Sequence, residues 1–436
     1  FRLYGECLAY PLQKPWSAGF LRGHMKPFGP KCGPTHKVIA QGGCVLAFTF
    51  PGQGSQKPGM GSSWVDHASW ELVEEASQAC GRDVGQLLLS AGAEELRQTR
   101  NSQLTTFVLS MVVLDAVERT GVVPNVAAGH SLGEYSALCA GGALSFEDAV
   151  RLVAERGEAM QIAADEQDGT MAAILGLDDD LVVAACARVD GDVWVANYNA
   201  PGQVVIAGAP SAVEEAGNKA KELGAKRAMA LPVGGAFHTP FMAPARDRLR
   251  KALGEVDVRA PAVPVIANVD AAARDEAGEW PQLLASQLCS PVQWRQSLYQ
   301  LSEMGCTTFV ELGPGTVLTG MAKRTLKDVT TLSVGTPEDV DALLAAVTDL
   351  GSSELVAGGA GEHLYVTERL VVSPCAGVFT PREGLGGDQT VAVGDVLGWV
   401  AEEEVRSPFS GVMMDLMALD GERVTARQPI AWLRTK

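Results

Sequence analysis

Apolar and polar positions first fall into a regular pattern at Val45. The run VLAFTF (45–50) is short and continuously apolar, as expected of a strand buried on both faces, and it ends in the turn PGQGSQ. Helical spacing follows over about 70–80 and 102–120, and the residues from Leu104 to Val117 read as a buried helix because Thr105, Thr106, Ser110 and Asp115 interrupt the run. An apolar segment (122–128) then leads into GHSLGEYSAL, and a further helix is predicted over 146–163. Ser145, with Asp148 three residues on, has the spacing of a capping box for that helix. Strands alternating with helices predict a parallel sheet covered on both faces.

The pattern changes between 170 and 233. TMAAILGL, VWVANYNA, QVVIAGA and KRAMALPV read as strands, and DDDLVVAACARV and PSAVEEAGNKAKELG as helices. The order βαββαβ is that of a ferredoxin-like unit, predicted as an insertion over about 168–236. The larger pattern resumes with VPVIANV and TTFVELGPG, so a cleft is expected between the two parts. GSSELVAGGAGE (351–362) has the composition of a linker. Beyond it, SPCAGV (373–378) echoes SPFSGV (407–412), and LGW (397–399) echoes IAW (430–432). Two similar halves predict a quasi-symmetric, small all-β barrel-sandwich domain over 363–436.

Composition narrows the function. The 436 residues allow two or three domains, and 47% hydrophobic with 20% charged residues is globular. A net charge of -17 argues against a general nucleic-acid binder. No apolar run reaches the roughly 18 residues of a membrane span. Nine scattered cysteines without a C-x-x-C pair suit a reducing cytoplasmic setting. Cys32, His36 and Cys44 lie close together but match no metal spacing, so no metal is expected. Residues 1–44, rich in Gly, Pro and basic residues, read as a disordered or non-native extension.

Chemistry concentrates at GHSLGEYSAL (129–138). G-x-S-x-G after a strand and before a helix is a sharp elbow that exposes the Ser131 hydroxyl and directs the Leu132 N–H at a developing oxyanion. A base is sought among six histidines. His24 and His36 lie in the extension, His363 follows the linker, and His67 sits in a polar stretch. His130 adjoins Ser131 and, in an extended strand, would point the opposite way. That leaves His238 in GGAFHTPFM, where the chain leaves the insertion. Ala149, Leu152, Val153, Arg156 and Met160 follow helical spacing, which puts Arg156 on an apolar stripe. A guanidinium there is either an internal ion-pair partner or a clamp on a substrate carboxylate.

Taken together, FPGQGSQ (50–56), GHSLGEYSAL (129–138), RLVAERGEAMQ (151–161), NYNAPGQVVIAG (197–208), GAFHTPFM (235–242), QLCSPVQW (287–294) and ELGPGTVLTGMAKR (311–324) resemble the malonyl-CoA:acyl carrier protein transacylases over about 45–350. The resemblance implies a hydrolase-like parallel-sheet core and an acyl ester on Ser131, with His238 as its base. It implies Arg156 as the malonyl-binding residue and the Gln53 and Leu132 N–H groups as the oxyanion hole. Gln287 would lie near the histidine, where a backbone carbonyl orients the imidazole; Asn197 and Phe237 would complete the substrate site, Phe237 being the malonyl-selective type. Gly234-Gly235-Ala236 departs from relatives that are bulkier there. Malonyl-CoA and acyl carrier protein are the implied partners, with neither nucleic acid nor membrane among them. GQGSQKPGM lacks the G-K-[ST] ending of a phosphate loop. A serine hydrolase or thioesterase is the competing enzyme reading, and a scaffold for a carboxylase complex the competing non-enzyme one.

Residues 364–436 resemble a biotinyl/lipoyl-type domain. Such carriers bear their cofactor on a lysine at a hairpin tip between the halves, and here the tip reads VAEEEV (400–405), with no lysine between Lys327 and Lys436. Neither biotin nor lipoate is therefore expected, and the domain is read as a docking or structural element.

Overall fold

The computed structural model describes residues 45–349 and 368–434, apart from 383, 388, 393, 402, 408–410, 426 and 427. The extension 1–44, with Cys32, His36 and Cys44, and the linker 351–362 lie outside the described residues, as does His363.

In chain order, β1 (Leu46–Phe50) is followed by α1 (Glu71–Cys80), α2 (Val84–Ser90), α3 (Ala93–Arg97) and α4 (Thr99–Glu118). Then come β2 (Val126–Gly129), α5 (Gly133–Ala140) and α6 (Phe146–Glu166). The small unit comprises β3 (Thr170–Leu175), α7 (Asp179–Ala187), β4 (Val193–Ala200), β5 (Gln203–Gly208), α8 (Pro210–Glu222) and β6 (Arg227–Ala230). The larger pattern resumes with α9 (Ala243–Leu253), β7 (Val265–Ile266), β8 (Ala273–Arg274), α10 (Trp280–Gln287) and α11 (Trp294–Glu303). It closes with β9 (Thr308–Leu312), α12 (Val317–Thr325), β10 (Thr330–Val334) and α13 (Pro337–Asp349).

The main sheet has the order β10-β9-β1-β2-β7-β8. Its first five strands run parallel, and β8 is antiparallel to β7. All five residues of β1 are buried, as its uninterrupted apolar sequence requires of a central strand. The chain leaves β1 for β2 on one side and returns to β9 on the other, so the carboxyl end of β1 is a topological switch point, where α/β sheets place their ligands. Register pairs Phe50 with Gly129, which sets the 51–54 turn beside the residues that follow β2.

Helix α4 is buried along nearly its whole length. Two of its polar residues bond locally: the Thr105 hydroxyl donates to the Asn101 carbonyl at 2.7 Å, and Asp115 accepts from Arg119 at 2.7 Å. Helix α6 packs against it and opens on Ser145, whose Oγ accepts the Asp148 N–H at 3.2 Å and donates to its carboxylate at 2.9 Å. Two predicted strands are shorter than their apolar runs. VPVIANV forms only Val265–Ile266, because Asn268 turns aside to bond elsewhere; KRAMALPV forms only Arg227–Ala230, ending just before Pro232.

The small unit is a four-stranded antiparallel sheet, β4-β5-β3-β6, with its own apolar cluster under α7 and α8. Val292 joins it to the main part: its N–H donates to the Ala196 carbonyl and its carbonyl accepts from the Tyr198 N–H, each at 2.9 Å. This tie fixes β4, and with it Asn197, at the mouth of the switch point.

The C-terminal segment holds β11 (Glu368–Val372), β12 (Gly377–Pro381), β13 (Thr390–Val391) and β14 (Val396–Val400). It continues with β15 (Glu403–Arg406), β16 (Gly411–Leu416), β17 (Arg423–Val424) and β18 (Pro429–Arg434). Two antiparallel sheets, β11-β18-β16-β13 and β15-β14-β12-β17, enclose one apolar cluster that includes Phe379, Leu397, Met413 and Leu433. Exchanging each strand of the first half for its counterpart in the second converts one strand order into the other. Ser373 and Ser407 hold equivalent buried positions. The repeat is thus a two-fold arrangement of strands.

Because α4 is enclosed on every side, truncation within it leaves a cavity that little can fill. Leu114→Ala is expected to lower stability by about 2–5 kcal/mol. Chemical denaturation reads this as a fall in midpoint, and a change below about 1 kcal/mol would show that the helix face is loosely packed.

Candidate active site

The turn after β2 is built by two close approaches. A Cβ on Gly129 would lie 1.8 Å from the Gly133 carbonyl oxygen, and one on Gly133 would lie 2.1 Å from that of Phe50. Only glycine fits either position, so the chain passes from strand to helix within three residues. Ser131 takes the strain at φ 53, a left-handed conformation rare for residues with a Cβ. Asn268 holds it there: its side chain accepts the Ser131 N–H and donates to the Gly129 carbonyl, both at 2.7 Å.

Ser131 Oγ lies 2.8 Å from Nε2 of His238. His238 is itself at φ 62, in the segment that leaves the small unit. Its Nδ1 lies 2.9 Å from the Gln287 backbone carbonyl. A carbonyl only accepts, so Nδ1 carries the proton and Nε2 is left as an acceptor facing the serine hydroxyl. Burial first, and the positive Arg156 second, push the His238 imidazole down to about 3, which keeps it neutral.

Arg156 is 1% exposed. Its Nη1 donates to Gln103 Oε1 at 2.5 Å; its Nη2 donates to Ser131 Oγ at 3.0 Å and to Gln287 Oε1 at 2.8 Å. The Tyr135 ring centroid lies 5.5 Å from its Cζ. All three oxygens are neutral, and the buried Nε has no partner among the described residues. Donors of a buried cation thus remain available in a site that already holds a hydroxyl.

Gln53, Ser131, Leu132, Arg156, Asn197, Phe237 and His238 line one cavity of about 200 Å³. Gln287 is not in its wall but stands behind it, bonded to Arg156, to His238 and, through Nε2, to the Ser131 carbonyl at 2.9 Å. Neither the Gln53 nor the Leu132 N–H donates to another described residue.

His130 differs from its expected placement. It does not point away; it lines the same cavity, with Nε2 2.8 Å from Asn199 Oδ1. The reason is that β2 ends at Gly129, so strand alternation no longer governs His130. His67 caps a short helix by accepting the Ser69 N–H at 3.1 Å. Four contributors escaped sequence reasoning: Gln103, Glu134, Asn199 and Asn268. Glu134 carried a signal, being a charged residue in a largely apolar helical stretch, whereas Gln103 stood among other polar residues at the start of α4. Asn268 carried none, since nothing local ties it to a turn so distant in sequence.

A hydroxyl facing a neutral imidazole, beside uncommitted N–H groups and a buried cation, can support nucleophilic acyl transfer. Residues 47–350 match the acyl transferase domain family, and the chain belongs to that family. The malonyl CoA-acyl carrier protein transacylase of Bacillus subtilis (strain 168) is 42% identical over 301 residues, covering 68% of this chain and 95% of the relative. The crystal structure of the acyl-carrier-protein S-malonyltransferase from Burkholderia pseudomallei 1710b superposes with a TM-score of 0.67 at 42% identity, covering 69% of this chain and 99% of that one. A type II PKS acyl-carrier protein in complex with its malonyl-transacylase gives a TM-score of 0.67 at 37% identity, over 69% of this chain and 99% of the matched chain.

The elbow's dependence on glycine is testable by stability alone. Gly129→Ala is expected to cost more than roughly 4 kcal/mol, whereas Gly234→Ala, where a Cβ meets nothing within 4 Å, should fall within about 0.5 kcal/mol of the parent. Thermal unfolding of the two variants measures the contrast; equal midpoints would contradict the close-approach argument.

Proposed function

We propose that the chain transfers a malonyl group from malonyl-CoA to the phosphopantetheine thiol of acyl carrier protein, in fatty-acid or polyketide synthesis. The observation that carries this reading is the Ser131 hydroxyl, bonded at once to the His238 imidazole and to the Arg156 guanidinium. A malonyl ester on Ser131 would carry its free carboxylate a few bonds from Oγ, within reach of Arg156.

The reaction is ping-pong. His238 Nε2 takes the Ser131 proton as Oγ attacks the thioester carbonyl. The Gln53 and Leu132 N–H groups receive the oxyanion. The carbon–sulfur bond breaks, and His238 returns the proton to the departing CoA sulfur. The carrier thiol then gives its proton to His238 and attacks the ester, and Ser131 recovers a proton as it leaves. Arg156 binds the carboxylate throughout, Gln287 orients His238 through its carbonyl, and Phe237 and Asn197 shape the acyl pocket. The chemistry calls for no cofactor or metal. Arg156 favours transfer over general hydrolysis, because a hydrolase has no use for a buried cation beside its nucleophile.

The division into a transacylase domain at 45–350, a linker at 351–362 and a module at 363–436 is part of this proposal. So are the hydrolase-like character of the main sheet and the ferredoxin-like character of the inserted unit at about 168–236, which its strand order supports. The terminal module reads as a biotinyl/lipoyl-like fold. The β14–β15 hairpin turns through Ala401 at φ 56 and offers no lysine amine, so neither biotin nor lipoate is expected there, and a docking or structural role is proposed for the module. Acidic carrier protein is expected to meet the exposed Lys323, Arg324 and Lys327 near the end of α12, which lines the cavity through Val317, Leu318 and Met321. No helix among the described residues is long and apolar enough to cross a membrane, consistent with the proposed cytoplasmic setting.

Mass spectrometry after incubation with malonyl-CoA should find one adduct, on the peptide containing Ser131, and none in Ser131→Ala. An undiminished adduct in that variant would end the reading.

A further inference from the structure

One carboxyl group beside the site has no part in the mechanism above. Glu134 lies three residues after Ser131 in the first turn of α5 and is fully buried. One of its oxygens accepts the Asn268 N–H at 2.7 Å, and the other accepts from Gln287 Nε2. Its two partners serve the reacting residues. Asn268 holds the Ser131 N–H and the Gly129 carbonyl; Gln287 presents Oε1 to Arg156 and its backbone carbonyl to His238.

The Gln287 amide has a donor end and an acceptor end. An ionised Glu134 can only accept, and Arg156 can only donate. One orientation of the amide satisfies both: nitrogen toward Glu134, oxygen toward Arg156. The Ser131 carbonyl, which also accepts from Nε2 at 2.9 Å, favours the same orientation; a neutral side chain at 134 removes the charged acceptor and leaves that weaker bond to hold the amide. If the amide then turned, its NH₂ would face the guanidinium, donor against donor, and Arg156 would lose one of its three acceptors.

We infer that Glu134 is a positioning residue whose carboxylate sets the Gln287 amide and, through it, the Arg156 guanidinium that selects a malonyl group. The inference rests on the acyl-transfer reading of the site and adds to it a residue that touches no substrate. Burial pushes the Glu134 carboxyl up to about 7, while the Asn268 and Gln287 hydrogen bonds and the nearby Arg156 oppose that rise and Asp270 adds to it. The other titratable groups around it are Tyr135 on its own helix and, across the site, His238 and His130. Burial holds both histidines below their usual range and Tyr135 above it. Malonyl selectivity should therefore weaken as pH falls through about 7, because a protonated Glu134 no longer dictates the amide.

The test is kcat/KM for malonyl-CoA and acetyl-CoA in the parent, Glu134→Gln and Glu134→Asp, each normalised to the fraction of Ser131 that can be acylated. In Glu134→Gln the malonyl-to-acetyl ratio should fall roughly 10–100-fold, mainly through malonyl KM, with Glu134→Asp recovering part of it. The parent's ratio should decline between pH 8 and pH 6, and the ratio in Glu134→Gln should be flat. A ratio unchanged in Glu134→Gln, or a parent ratio independent of pH, would overturn the inference. If the Gln variant does not fold, the parent's pH profile decides alone. Failure of the parent to form a malonyl ester on Ser131 would instead defeat the underlying functional reading.

Discussion

The site depends on a buried guanidinium that has no carboxylate to bond. Removing Arg156 from water costs several kcal/mol unless the charge is compensated, and its direct partners are two amide oxygens and a hydroxyl. Glu134 contributes attraction only through Gln287 and across space. Under-compensation of this kind would be a liability in a core held for stability alone. It makes sense beside the proposed nucleophile, Ser131, where an incoming anion can complete the coordination. The same positive charge helps to keep His238 neutral, so the groups that would bind the acyl chain and move the proton are electrostatically coupled.

Two of the strained backbone positions fall in the same site. Ser131 and His238 both lie at positive φ, and both are held from outside: Ser131 by Asn268, His238 by the Gln287 carbonyl. Each holding residue follows or ends an element anchored in the main core, the strand β7 or the helix α10. The parallel sheet supplies a rigid edge, and the closely packed glycines turn the chain so that the half-buried Ser131 lines the cavity. Gln287 is the point at which these constraints meet, since its side chain and its carbonyl serve Arg156 and His238 respectively.

Much of this was legible in the chain because it was local. The uninterrupted run of β1, the capping pair at Ser145 and the βαββαβ order are written in short windows, and the helical phase alone predicted a buried Arg156. The internal echo around Ser373 and Ser407 showed two similar halves, though the exchange of strands between the two sheets was visible only in the structure. What was not legible depends on contacts between distant segments. Asn268 is shaped by the turn it supports, and the shortness of β7 follows from that commitment. His130 was misplaced because strand alternation was carried one residue too far. Glu134 stood in plain view within GHSLGE, but a charged residue in an apolar helix gives no hint of its partners until Gln287 is brought against it.

The central claim is that Arg156 is held ready for a substrate carboxylate and is not an internal ion-pair partner. Its most direct test is the ratio of malonyl-CoA to acetyl-CoA kcat/KM in the parent and in Arg156→Ala, with Arg156→Lys as the conservative comparison. The account predicts that the ratio collapses in the alanine variant, by roughly 10⁴-fold or more, as malonyl transfer is lost and the penalty on neutral acyl groups is lifted. Lysine should restore little, since it offers a point charge without the planar fork. A ratio unchanged in Arg156→Ala would contradict the account and assign substrate selection to other residues.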